Sequence, residues 1–193
     1  MSDPTTILLA ILLPTLVAPF IALLGKSPNT REAVILGTGC IVFLVVTSLL
    51  PSVLAGERPA VVVVEMIPGL NLGFRVEPLG MLFGLVASGL WVVTTVYSIG
   101  YMRGHHEENQ TRFYVFFAIA ISAALGVAFS ANVLTLFVFY EMLTLSTYPL
   151  VTHHRTEDAR KAGRIYLGIL ISTSVTFLLL AVVCTWHLTG TLE

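Results

Sequence analysis

The stretch FYVFFAIAISAALGVAFSANVLTLFVFYEMLTLSTYPLVTHH, residues 113–154, holds 42 residues and one charge, Glu141. A helix needs about 20 apolar residues to cross a bilayer core. The run is too long for one span and fits two. Its only cluster of turn-prone residues, Ser130-Ala131-Asn132, is where it divides. Helices are predicted over 112–130 and 132–151, with Glu141 near the middle of the second.

The same logic extends outward. Residues 4–25, 33–56, 78–102 and 165–192 carry no charge. They predict helices near 5–24, 33–54, 78–101 and 157–188. Composition agrees: of 193 residues, 56% are hydrophobic and 11% charged, and mean hydropathy is +0.90. So few charges cannot coat a water-facing surface. A soluble globular enzyme, a disordered chain and a nucleic-acid binder are excluded. Net charge is −1, so no bulk field recruits polyanions. Two cysteines exclude a disulfide scaffold. Cys40 and Cys184 lie near opposite membrane faces and read as small packing residues. The fold class is an all-α polytopic membrane protein with about six transmembrane helices.

Asp3, the missing positive charge before it and the length of the first run argue against a cleaved signal peptide. Pro14 and Pro19 lie inside this first helix and predict a kink without a break. If the N-terminus is outside, eight Lys and Arg (Lys26, Arg31, Arg103, Arg112, Arg155, Arg160, Lys161, Arg164) fall inside and two (Arg58, Arg75) outside. The positive-inside rule then places both termini outside. Few lysines among abundant Ala, Val and Leu point to a bacterial inner membrane.

Between the second and third helices, Ala60-Val61-Val62-Val63-Val64-Glu65-Met66, Pro68-Gly69 and Leu70-Asn71-Leu72-Gly73-Phe74-Arg75-Val76 predict a small extracytoplasmic β-hairpin over 60–76. A lone hairpin is marginal in water, so it should lie on other protein at the membrane surface. Before the last helix, Thr156 can cap, and Glu157 and Asp158 suit the positive end of its dipole.

Glu141 is the candidate site. It stands roughly 13 Å from either end of its helix, where a charge costs about 2.5–3.5 kcal/mol on insertion scales. It persists only if protonated, paired or lining water. Reversible protonation at such a place is the elementary step of proton movement. Thr144, Tyr148 and Thr152 follow at i+3, i+7 and i+11, on the same face. They form either a hydroxyl route for water or interhelical glue. His153 and His154, at the inner end of this seam, either pass protons or are an interfacial pair. His105 and His106 beside Glu107 and Glu108 lack the spacing of a metal site. Ser172-Thr173-Ser174 reads as a close-packing patch, and His187 as interfacial. No nucleophile–base pair faces one site, and no nucleotide, quinone, flavin or metal site is visible.

Several motifs together resemble one family. Tyr97-Ser98-Ile99-Gly100-Tyr101-Met102, Arg112-Phe113-Tyr114, Asn132 to Glu141, and Thr147-Tyr148-Pro149-Leu150-Val151 look like the antiporter-like subunits of respiratory complex I (L, M and N) and of Mrp cation/proton antiporters (A and D). The Pro-Gly hairpin and the closing Thr189-Gly190-Thr191-Leu192 fit as well. The resemblance implies that Glu141 matches the family's essential fifth-helix glutamate, which pairs with a lysine on the seventh helix. Tyr140 departs from the Trp usual in complex I members. The family has about fourteen helices built on inverted repeats. Here residues 1–110 are a three-helix region with the hairpin, and residues 111–193 are the first three helices of the repeat.

No lysine lies in any predicted span, so the partner of Glu141 is expected from another segment or chain. The chain is therefore a fragment, one piece of a split subunit or a shortened member. Two functions follow: a proton- or cation/proton-translocating membrane subunit with Glu141 as carrier, or a non-conducting scaffold. Expected partners are other membrane subunits, one offering a mid-membrane Lys, the bilayer, and H⁺ with Na⁺ as a second candidate. No cofactor and no nucleic acid are expected.

Overall fold

The computed structural model describes residues 3–67 and 70–192, with the side chains of Met66 and Ile67 left aside. Among these, six helical stretches are long and apolar enough to cross a membrane: Asp3–Lys26, Pro28–Leu54, Pro78–Gly104, Gln110–Ala128, Val133–Val151 and Glu157–Thr189. Each coincides with a predicted span.

The first, α1 (Asp3–Leu23), runs unbroken through Pro14 and Pro19 and closes in a 3₁₀ turn, Leu24–Lys26. A proline removes the donor for the carbonyl four residues earlier. The Ser122 hydroxyl, from the neighbouring α5 (Gln110–Ala128), donates to Ile11 O at 2.6 Å, next to the carbonyl that Pro14 leaves open. The second span departs slightly from expectation. It is α2 (Pro28–Ser48) and a short α3 (Leu50–Leu54), interrupted at Leu49. Pro51, which lacks an N–H, stands two residues on, in the first turn of α3.

The hairpin pairs β1 (Ala60–Ile67) with β2 (Leu70–Arg75) antiparallel, Val61 opposite Phe74, with irregularities between Val62 and Val64 and between Glu65 and Ile67. The expected Pro68-Gly69 turn lies outside the described residues. One edge of the hairpin rests on this chain itself. Arg75 N donates to Phe129 O (2.7 Å) and Ala131 N to Gly73 O (3.0 Å). The loop after α5 thus extends the sheet.

Asn132 ties the hairpin to the helix of Glu141. Its amide donates to Asn71 O and Oδ1, both at 2.9 Å. Its Oδ1 accepts from Thr135 N (2.8 Å), capping α6 (Val133–Val151). Asn132→Ala should lower stability by about 1 kcal/mol, read as a lower melting temperature in detergent with faster amide exchange in β2.

The core lies between α1, α2, α5 and α4 (Pro78–Gly104), where Ile7, Ile11, Ile35, Val42, Trp91, Tyr114 and Leu125 are buried. Trp91 meets Phe117 edge-on at 6.5 Å. Gly80 permits the closest approach to main chain in this core: a Cβ there would stand 2.2 Å from the Ala128 carbonyl oxygen. Main chain cannot swing aside. Gly80→Ala should therefore destabilise by about 2 kcal/mol, whereas Gly37→Ala and Gly100→Ala, which face open space, should not. Thermal unfolding of the three variants checks this.

The last span is one long helix in three parts: α7 (Glu157–Thr173), a π-helical stretch (Ser174–Leu179) and α8 (Leu180–Thr189). Thr156 caps it, accepting from Ala159 N at 3.1 Å. It packs mainly on α6, and Ile165, Ile169, Phe177, Leu180 and Val183 stay exposed. Cys40 and Cys184 are also exposed. They do not fill the interior, which corrects the packing role expected of them.

Candidate functional site

Nineteen residues of α6 place Glu141 at mid-span. The carboxylate is half-buried, and its Oε1 is shielded with no hydrogen-bond partner. No Lys, Arg or His pairs with it among the described residues. Glu141 borders an open cleft of about 390 Å³ between α5 and α6, lined by Phe116, Ile119, Val138, Met142, Leu145 and Ser146. The surroundings are aliphatic and aromatic, with one hydroxyl. An unpaired acid at that depth is costly, and the open side leaves room for a basic side chain or water.

The hydroxyl seam lies toward α7. Thr144 and Thr152 are buried and Tyr148 half-buried. Gly163 on α7 brings the two helices together: a Cβ there would stand 2.3 Å from Thr152 Cγ2 and 3.1 Å from the Tyr148 ring. Thr152 donates to Tyr148 O at 2.9 Å, and Thr147 to Thr144 O at 2.9 Å. Thr152 thus bonds its own helix while keeping an acceptor lone pair.

At the end of the seam the two histidines part company. His154 is 70% exposed, whereas the His153 side chain is 13% exposed, and both approach Glu107 Oε2, at 3.8 and 4.0 Å. Sequence spacing alone could not join Glu107, on the α4–α5 loop, to the residues after α6. Burial, and then the Arg112 guanidinium, hold the His153 imidazole below the usual histidine range, against the pull of Glu107.

Two more features of this cation-rich end escaped the sequence reading. Arg112 Nη2 donates to Pro149 O (3.3 Å), Thr152 O (3.1 Å) and His153 O (2.9 Å). A cation at the negative end of the α6 dipole thereby caps the helix that carries Glu141. Arg31, counted among the inner-loop cations, and Glu32 beside it are buried, at 3% and 5% exposure. Glu32 accepts from Arg31 Nη2 (3.3 Å) and from Arg103 Nε (3.1 Å) and Nη2. Arg31 also reaches Thr111 Oγ1 and Gln110 Oε1, both at 2.9 Å, and lies over the Tyr114 ring at 5.1 Å. This network locks α2, α4 and α5 together.

Comparison with known proteins places this arrangement. Residues 68–114 match the family model of the NADH-ubiquinone oxidoreductase (complex I) chain 5 N-terminus, and residues 130–193 match that of the NADH:quinone oxidoreductase/Mrp antiporter transmembrane region. The Na(+)/H(+) antiporter subunit A1 of Staphylococcus aureus is 27% identical over 159 residues, 80% of this chain and 20% of the relative. The chain thus spans about a fifth of the length of the curated relatives it matches. A chain of the membrane-bound sulfane sulfur reductase, an archaeal respiratory membrane complex, superposes with a TM-score of 0.82 at 22% identity, over 97% of this chain and 38% of that one. A chain of the Mrp complex from Dietzia sp. DQ12-45-1b gives 0.83 at 18% identity, over 100% and 36%. With six spans, the hairpin and both family models in register, the chain belongs to the antiporter-like membrane subunits shared by complex I and the Mrp antiporters, and corresponds to their N-terminal six-helix portion.

Proposed function

We propose that this chain is a membrane subunit, or the N-terminal piece of one, in a proton- or cation/proton-translocating complex of complex I or Mrp type, with Glu141 as the proton carrier. The observation that carries this reading is the unpartnered carboxylate at mid-span on the rim of an open cleft. Its charge is tolerable only when a cation comes close, so protonation and the approach of a basic group are coupled. A mid-membrane Lys from another segment or subunit, entering beside Phe116 and Leu145, would supply that cation. Thr144, Tyr148, Thr152 and His154 line the inner access route. Residues 1–110 support the first three helices of the repeat, residues 111–193.

The Lys and Arg distribution supports an orientation with both termini outside a bacterial inner membrane. The transported ion is H⁺, with Na⁺ as the candidate exchanged cation. The test is Glu141→Gln in the complete assembly, with loss of proton-coupled transport expected while the complex stays intact. Normal transport by that variant would leave the chain as a non-conducting scaffold.

A further inference from the structure

At the end of the bundle that the proposed orientation turns toward the cytoplasm, the α4–α5 loop meets the α6–α7 connection. Between them lies a pocket of about 260 Å³ lined by His105, His106, Glu107, Glu108, His153 and His154. Two of these side chains are enclosed: His153 at 13% exposure and Glu107 at 18%. Phe113 closes the imidazole edge-on, with ring centroids 5.9 Å apart. Both His153 nitrogens are shielded, and neither has a hydrogen-bond partner. Buried imidazoles in folded proteins are normally satisfied on at least one side. Two open nitrogens beside a polar pocket leave places for a moving proton and its water.

We infer that Glu107 and His153 form a proton relay between this pocket and the inner access route. The inference rests on the transport reading of Glu141. The exposed His154, 3.8 Å from Glu107, and bulk water supply the carboxylate. Glu107 Oε2 stands 4.0 Å from His153 Nε2, so a side-chain movement of about 1 Å brings them to hydrogen-bond length.

The step balances in protons. The Glu107 carboxyl gives its proton to Nε2 of the neutral ring and becomes a carboxylate. The imidazolium releases the Nδ1 proton to a water on the route, and the ring, left neutral as the other tautomer, returns to an accepting arrangement by a half-turn about its Cβ–Cγ bond before the next proton. Glu107 is then reprotonated from the pocket. The groups that face the ring are Arg112 from α5, Glu107 from the loop and the adjoining His154, while the Glu108 main chain approaches without completing a hydrogen bond. Their combined effect with burial keeps the ring neutral near pH 7 and so able to accept.

The experiment compares His153→Gln, Glu107→Gln, Glu141→Gln and, as a control, His187→Gln in the complete assembly reconstituted in liposomes. Proton-coupled transport is followed across pH, with and without added imidazole. His153→Gln should slow transport roughly tenfold, and added imidazole should restore part of it. A residue needed only for packing gives no such rescue. Glu107→Gln, at a partly exposed position, should slow transport roughly threefold and flatten its pH profile. His187→Gln should match the unmodified complex.

Transport at the unmodified rate in both His153→Gln and Glu107→Gln overturns the relay, as does a slow His153→Gln complex that imidazole leaves unchanged. If His153→Gln does not assemble, Glu107→Gln decides alone. The carrier reading is judged separately, by Glu141→Gln, which imidazole at the inner mouth should not rescue.

Discussion

Proton-coupled transport should disappear in Glu141→Gln while the complex assembles at its normal yield. Glutamine keeps the shape of the side chain and its hydrogen-bonding capacity but cannot ionise. It removes the cost of a carboxylate in hydrocarbon, about 2.5–3.5 kcal/mol, so thermal stability should hold or rise. Glu141→Asp gives the complementary arm. It keeps the acid but withdraws it by one methylene from the cleft lined by Phe116 and Leu145, so transport should be slowed and not abolished. Proton flux into liposomes, with subunit stoichiometry checked on the same preparation, measures both. A Glu141→Gln complex that transports at the normal rate removes the carrier role.

Glu32→Ala should have the largest effect on stability. Glu32 is 5% exposed and accepts from two arginines, one of which, Arg31, is 3% exposed. Without the carboxylate, Arg31 keeps only Thr111, Gln110 and the Tyr114 ring. Removing one partner from a buried pair leaves an uncompensated charge and costs about 3–5 kcal/mol. The expected result is poor assembly and a melting temperature far below that of the parent. Replacing Arg31, Glu32 and Arg103 together by apolar residues of similar size should recover most of the loss, because no charge is then stranded. Equal melting temperatures for the parent and Glu32→Ala would show that solvent already screens the network.

What could be read from the sequence is what one dimension encodes. A charge-free run of bilayer length marks a span whatever it packs against, so all six helices were legible. The two strands of the hairpin were legible because a β-branched run and an alternating run are local signals. Glu141 stood out because its neighbours along the chain are apolar. The meeting of Glu107 with His153 and His154 was not legible, since it depends on how two loops fold toward each other. The burial of Arg31 and Glu32 was hidden for a related reason: at a helix end, charge signals water unless a partner 71 residues away, Arg103, encloses it. The interruption at Leu49 could have been suspected from Pro51. The exposure of Cys40 and Cys184 could not, because in lipid an apolar side chain is at home facing outward.

The π-helical stretch at Ser174–Leu179 has a geometric consequence for whatever packs against the last span. Each π turn accommodates one extra residue, which rotates everything beyond it by about 100° relative to an unbroken helix. The C-terminal part, α8, therefore points its stripes in a different azimuth from α7. A neighbouring helix running alongside would meet one stripe below Ser174 and another above Leu179, so cross-linking positions mapped by steps of seven on one half will be out of phase on the other.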